Sequence, residues 1–81
     1  MKIVFEEKAH KQLKKLPKND SQIILNKIKN LQFFPNTPNT KKLTNFYPPF
    51  RLRVGNYRVL FDVENETIII FEILKRKDAY K

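Results

Sequence analysis

The 81-residue chain has no cysteine, no tryptophan, one glycine and one histidine. Without cysteine there is no disulfide, no thiolate metal ligand and no cysteine nucleophile, and a chain this small then fits a reducing cytoplasm. The single glycine, Gly55, excludes the glycine-rich phosphate loops. The single histidine, His10, excludes a paired-histidine ribonuclease mechanism, and we interpret it as an ordinary surface residue. No set of side chains has metal-ligand spacing, so we expect neither a metal nor a small-molecule cofactor.

Acidic residues are also few, 8 against 17 lysines and arginines, for a net charge of +9. They are too scattered to suggest a two-metal nuclease. The excess positive charge indicates a polyanionic partner, which is a nucleic acid, an acidic protein or an anionic membrane surface. The alternative is a basic protein with no such partner. No apolar run approaches the roughly 20 residues of a membrane span, and the charged start is no signal peptide.

The hydrophobic pattern predicts the order β-α-α-β-β-β in a single domain covering residues 1–81. Residues 2–5 form a strand, and a first helix follows Glu6-Glu7 and ends at Pro17. Asp20 or Ser21 caps a second helix. Its apolar positions are Ile23, Ile24, Leu25, Ile28, Leu31 and Phe34. After an irregular segment at 35–49, three strands complete a small α+β domain, in which a helical hairpin covers one face of an antiparallel sheet.

All four arginines lie in the last 31 residues, and three of them lie between Phe50 and Phe61. Two strand-like runs flank Gly55-Asn56, which predicts a two-residue hairpin turn. The resulting register joins three pairs of residues: Val54 with Tyr57, Arg53 with Arg58, and Arg51 with Leu60.

Alternation along these two strands separates an apolar face from an arginine face. The apolar face consists of Phe50, Leu52, Val54, Tyr57, Val59 and Phe61. Like charges directly opposite one another destabilise a ladder by a few tenths to about 1 kcal/mol, so folding alone does not explain Arg53 opposite Arg58. Guanidinium groups match phosphate oxygens. We therefore predict a phosphate site on this face, open to solvent because the helices occupy the other one, and extended by Arg76.

These residues favour phosphate chemistry carried out by cations and phenols. RNA supplies its own nucleophile, the 2′-hydroxyl, so a protein that orients the backbone and stabilises charge provides much of the catalysis. The general base is left open between a lysine of lowered pKa, Tyr80 and a group outside the chain. Tyr57 is interpreted as a core residue. Tyr80, in a short charged tail, either stacks on a base, relays a proton or caps the sheet edge.

Several segments resemble the RelE/ParE superfamily of bacterial and archaeal toxins. These are Met-Lys-Ile-Val-Phe at residues 1–5, Lys-Gln-Leu-Lys-Lys-Leu-Pro at 11–17, Lys42-Leu43, the hairpin at 50–61, and Arg-Lys-Asp-Ala-Tyr at 76–80. The string Arg-x-Arg-Val-Gly-x-Tyr-Arg is the most specific of them. The family fold is a small antiparallel sheet with an N-terminal helical hairpin.

The resemblance implies a ribosome-dependent messenger RNA endonuclease that needs no metal and leaves a 2′,3′-cyclic phosphate. It assigns phosphate binding and proton transfer to Arg51 and Arg53, phosphate stabilisation to Arg58, transition-state stabilisation or general acid catalysis to Arg76, and base stacking to Tyr80. Lys42, Lys75 and Lys77 are expected to bind RNA. An acidic antitoxin is the expected protein partner.

Two departures from the family pattern concern the chemistry. Many relatives have Gly-His-Arg where this chain has Leu74-Lys75-Arg76, so Lys75 fills the histidine role or the role is absent. Arg51 and Arg53 stand where some members have lysine. Two further hypotheses stay open: a ParE-like inhibitor of DNA gyrase without nuclease activity, and a non-catalytic basic module that binds nucleic acid.

Overall fold

The computed structural model of the protein describes residues 1–79. A first strand is followed by two helices and then by four strands. The strands are β1 (Lys2–Phe5), β2 (Thr40–Lys42), β3 (Phe50–Val54), β4 (Tyr57–Glu64) and β5 (Thr67–Lys75). The helices are α1 (Glu7–Lys14) and α2 (Lys18–Lys29), and short 3₁₀ turns occupy Asn30–Phe33 and Arg76–Asp78. The predicted α+β fold is confirmed.

The five strands form one sheet in the order β1-β5-β4-β3-β2. Three neighbouring pairs are antiparallel, but β1 runs parallel to β5, with Lys2 opposite Thr67 and Phe5 opposite Ile70. The sheet is therefore mixed, where the sequence predicted antiparallel pairing throughout. The helices carry the chain from the β1 edge to the β2 edge, and three hairpin connections bring it back until β5 reaches β1. The short strand β2 lies within the segment that the sequence left irregular.

Each helix packs on the sheet through buried side chains. Ala9 is buried on α1, and Ile24, Ile28 and Leu31 are buried at the spacing of a single face of α2. Ile23 lies outside this stripe and is 53% exposed, although the sequence placed it in the apolar set. The start of α2 also differs: Pro17 occupies the N-cap position, and Asp20 lies inside the first turn.

The core is the layer between these helices and the inner face of the sheet. Leu52, Val59, Phe61, Ile68 and Ile70 are buried there. Phe34 extends the layer, with its ring centre 5.0 Å from that of Phe50 and 5.4 Å from that of Phe61, both edge to face. Within residues 1–79, no helix is long and apolar enough to cross a membrane.

Candidate functional site

The β3–β4 hairpin has the predicted register. Arg53 lies opposite Arg58, Arg51 opposite Leu60 and Val54 opposite Tyr57. Gly55 has a φ of 55°, the left-handed conformation that primed two-residue turns require at their first central position. An alanine at this position would be strained even though no atom stands within 4 Å of its Cβ. The turn therefore sets the pairing that puts Arg53 and Arg58 side by side.

Tyr57 faces the helices and links the tip of the hairpin to α2 through a hydrogen bond. Its hydroxyl donates a hydrogen bond to Oδ2 of Asp20 at 2.7 Å. This bond, followed by partial desolvation and the negative charge of Asp20, raises the pKa of Tyr57 above its ordinary value. The structural interpretation of Tyr57 agrees with this contact, because the phenol is already engaged inside the fold.

The three hairpin arginines differ in how they are held. Arg53 is exposed and Arg51 is half-buried, with its Nε buried and without a hydrogen-bond partner. Arg58 is only 9% exposed, and its Nη1 donates to the carbonyl oxygens of Gly55 and Tyr57, each at 2.9 Å. The turn thus fixes the position of one guanidinium before any ligand arrives, which lowers the reorganisation needed to stabilise a negative charge.

The arginine face is more covered than the sequence suggested. Leu60 lies on this face and is 1% exposed. Residues 43–49 form a loop closed by a bond from Leu43 N to Pro49 O at 2.7 Å, and Pro48 in it is buried. Tyr47 in this loop packs edge to face against Phe71, the residue of β5 left unpaired at a β-bulge, at 5.5 Å. The middle of the face is therefore covered at Leu60, whereas Arg53 near the hairpin turn is exposed.

The C-terminal 3₁₀ turn is tied to the tip of the hairpin. The backbone N–H of Arg76 donates to the carbonyl oxygen of Asn56 at 2.6 Å, so Arg76 lies beside the turn that carries Arg53 and Arg58. Arg76, Lys75 and Lys77 are all exposed. The structure thus brings Arg53, Arg58 and Arg76 to one end of the sheet, and Arg51 lies two residues further from the turn on β3. Tyr80 lies outside the described residues.

A cavity of about 620 Å³ opens between α2, the hairpin tip and this tail. Ile23, Val54 and Tyr57 contribute to its walls, and Lys75, Arg76 and Lys77 border it. The sequence did not indicate this cavity, because it depends on the distance between α2 and the hairpin, which no local pattern encodes. The basic tail therefore borders the cavity as well as the hairpin turn.

A family model describes the ParE toxin of the type II toxin-antitoxin system parDE, and it matches residues 3–80. The chain belongs to the RelE/ParE family of toxins. Toxin RelE3 of Methanocaldococcus jannaschii is 31% identical over 84 residues, covering 99% of this chain and 96% of that protein.

Solved RelE structures share the fold. The RelB–RelE antitoxin–toxin complex from Methanococcus jannaschii matches with a TM-score of 0.75 and 29% identity, over 95% of this chain and 94% of that one. The archaeal RelE–RelB complex from Pyrococcus horikoshii matches with a TM-score of 0.77 and 25% identity, over 96% and 97%. The RelE/ParE fold therefore extends over nearly the whole chain.

In this RelE/ParE toxin, two adjacent lysines on β2 lie on different faces of the sheet. Lys42 pairs with Phe50, which faces the helices, whereas Lys41 pairs with Arg51 and so lies on the arginine face. The sequence indicated Lys42 as an RNA-binding residue but gave no indication for Lys41. Alternation along β2 would have separated the two lysines, but three residues gave no sign of a strand.

Proposed function

We propose that this toxin is a ribosome-dependent, metal-independent endoribonuclease that cleaves messenger RNA in the cytoplasm and so inhibits translation. The observation that carries the proposal is the placement of Arg53 opposite Arg58, with Arg76 bonded through its backbone to the same turn. Two arginines opposite each other at one turn, with a third bonded to it through its backbone, suit a phosphate that gains negative charge during the reaction.

In the proposed reaction, the 2′-oxygen of the RNA attacks the adjacent phosphorus and loses its proton to a base. The bond from phosphorus to the 5′-oxygen of the next nucleotide breaks, and that oxygen takes up a proton. The products are a 2′,3′-cyclic phosphate and a 5′-hydroxyl. Arg51, Arg53 and Arg58 hold the phosphate, and Arg76 stabilises the transition state or protonates the leaving oxygen. Lys42, Lys75 and Lys77 contact RNA, and Tyr80 stacks on a base.

We also propose an acidic antitoxin as the protein partner, in addition to the ribosome and its message. Two of the related toxins were solved as complexes of RelE with RelB. A net charge of +9 on 81 residues favours a partner of opposite sign, because neutralisation relieves the repulsion between like charges. An antitoxin that covers the hairpin tip would exclude the RNA.

The test adds the purified toxin to a translating extract and maps transcript ends by primer extension. Cleavage within codons is expected only while ribosomes translate, and a single 2′-deoxynucleotide at the cut position should abolish it. Arg76→Ala should reduce cleavage about a hundredfold or more, the usual loss for a transition-state-stabilising group. Removal of this side chain leaves the bond from Arg76 N to Asn56 O in place. Lys14→Ala on α1 is the matched control.

Intact transcripts in a translating extract would refute the nuclease. A second candidate is a ParE-like inhibitor of DNA gyrase, favoured by the match of residues 3–80 to the ParE model. It predicts loss of supercoiling activity or trapped DNA breaks while messages stay whole. Salt-sensitive binding to nucleic acid, with neither effect, would instead indicate a non-catalytic module.

A further inference from the structure

The arginine face carries a second pair of like charges at its edge. In the β2–β3 register, Lys41 lies directly opposite Arg51, as Arg53 lies opposite Arg58 between β3 and β4. Residues opposite each other in a ladder project to the same side of the sheet, so Lys41 shares a face with the arginines. Three adjacent strands therefore contribute cations to one surface.

Backbone bonds hold Lys41 in this position. The N–H of Arg53 donates to the carbonyl oxygen of Asn39 at 2.9 Å, which extends the ladder to the residue before β2. The Thr40 hydroxyl donates to the carbonyl oxygen of Thr37 at 3.0 Å and closes the turn that precedes the strand. The register that puts Lys41 beside Arg51 thus follows from contacts of neighbouring residues and does not depend on the lysine side chain.

No carboxylate within residues 1–79 forms an ion pair with Lys41, Arg51 or Arg53. The ion pairs of Lys8 with Glu72 and of Lys11 with Glu7 both involve α1. Lys41 opposite Arg51 is a like-charged pair, which is unfavourable for the sheet. A bound polyanion would neutralise this repulsion and make the pair a binding site.

We infer that Lys41 binds a phosphate next to the one held by the arginines, so that the RNA strand crosses β4, β3 and β2 and leaves over the β2 edge. Adjacent strands are about 4.8 Å apart, so the cations span about 10 Å from β4 to β2. This width accommodates more than one phosphate of a nucleic-acid strand. The identity of the polyanion as RNA rests on the proposed function.

Lys41 and Lys14 provide a matched experiment, because both are exposed lysines but Lys41 lies on the arginine face and Lys14 lies on α1. The affinity of the full chain for a single-stranded oligoribonucleotide is measured at several potassium chloride concentrations for the wild type, Lys41→Gln and Lys14→Gln. Both substitutions remove one positive charge. Lys41→Gln should weaken binding and reduce the slope of log affinity against log salt by about 0.7, the contribution of one phosphate contact on a single strand.

The control Lys14→Gln should leave the slope near the wild-type value, and Lys41→Arg should restore it. Equal slopes for the two glutamine variants would overturn the inference, as would no measurable binding by the wild type. Thermal unfolding of each variant identifies a loss of fold. Binding requires no cleavage, so the two proposals can fail separately. If only Lys41→Gln reduces the slope and no transcript is cut, this inference holds and the proposed nuclease activity is refuted. Transcript cutting combined with equal slopes would support the nuclease and overturn this inference.

Discussion

At the level of single residues, Arg53 and Arg58 are an unequal pair. Arg58 is almost completely buried and bonded to two carbonyl oxygens of its own turn, whereas Arg53 opposite it is exposed. A guanidinium held by main-chain acceptors is preorganised, and an exposed one is accessible to a ligand. The pair thus combines one fixed positive charge with one that solvent reaches, beside the tail residue Arg76.

The bond between Tyr57 and Asp20 predicts a specific pH dependence of stability. Because the folded state raises the pKa of Tyr57 above 10.0, it favours the protonated phenol. The stability from this bond is therefore complete below about pH 10, the ordinary tyrosine value, and is lost as the pH rises through the raised pKa. Tyr57→Phe should lower stability at about pH 8, and the gap from wild type should narrow at about pH 11.

Urea denaturation of both proteins at the two pH values measures this gap. The other tyrosines are present in both proteins, so their titration cancels in the difference. Asp20→Ala removes the acceptor of the bond, so its stability gap from wild type should narrow between the two pH values in the same way. A gap that stays constant or widens at the higher pH would contradict a stabilising role for the phenolic proton.

At the level of elements, local turns were predictable and long-range contacts were not. The register of β3 and β4 follows from Gly55-Asn56, because a two-residue turn fixes which residues face each other. The parallel pairing of β1 with β5 joins residues more than 60 positions apart, and nothing near either strand encodes it. The cover that residues 43–49 give to the arginine face was missed for the same reason, so the accessible site is smaller than predicted.

One such long-range contact joins α1 to the sheet. Strand β5 continues past the end of β1, and the N–H of Ile73 donates to Oε1 of Gln12 at 2.7 Å. Ile73 is buried, so removal of the acceptor leaves a buried donor unsatisfied. Gln12→Ala should therefore lower the free energy of unfolding by about 1–2 kcal/mol.

Chemical denaturation of Gln12→Ala is compared with that of Gln22→Ala, which makes the same change at an exposed position of α2. Alanine is the better helix former, so the control should be neutral or slightly stabilised. Equal stabilities for the two variants would contradict the prediction and would mean that water satisfies the N–H of Ile73 as well as the glutamine oxygen does.

At the level of the whole molecule, acidic and basic side chains collect in different regions. The basic region is the hairpin tip, with Arg53, Arg58 and Arg76. Away from this tip, beside the middle of β5, a cavity of about 460 Å³ is lined in part by Glu6, Glu7 and Glu72, and also by Lys8, which forms an ion pair with Glu72. Desolvation raises the pKa of the adjacent Tyr47, and the negative charges of Asp62, Glu64 and Glu6 raise it further. A polyanion that approaches such a charge distribution is attracted more strongly to the hairpin tip than to the acidic region.

A surface organised for a polyanion should be less than optimal for stability, and Arg53→Gln tests this expectation. The substitution removes one member of the pair opposite Arg58 at an exposed position, so the free energy of unfolding should rise by a few tenths to about 1 kcal/mol, and the rise should shrink as salt screens the repulsion. Transcript cleavage should fall in the same variant. Lys14→Gln, an exposed change of equal charge on α1, should alter neither property by a comparable amount. If Arg53→Gln lowers stability, Arg53 and Arg58 do not destabilise each other in the free protein. If it instead raises stability and leaves cleavage intact, the like-charged pair serves a ligand other than the message.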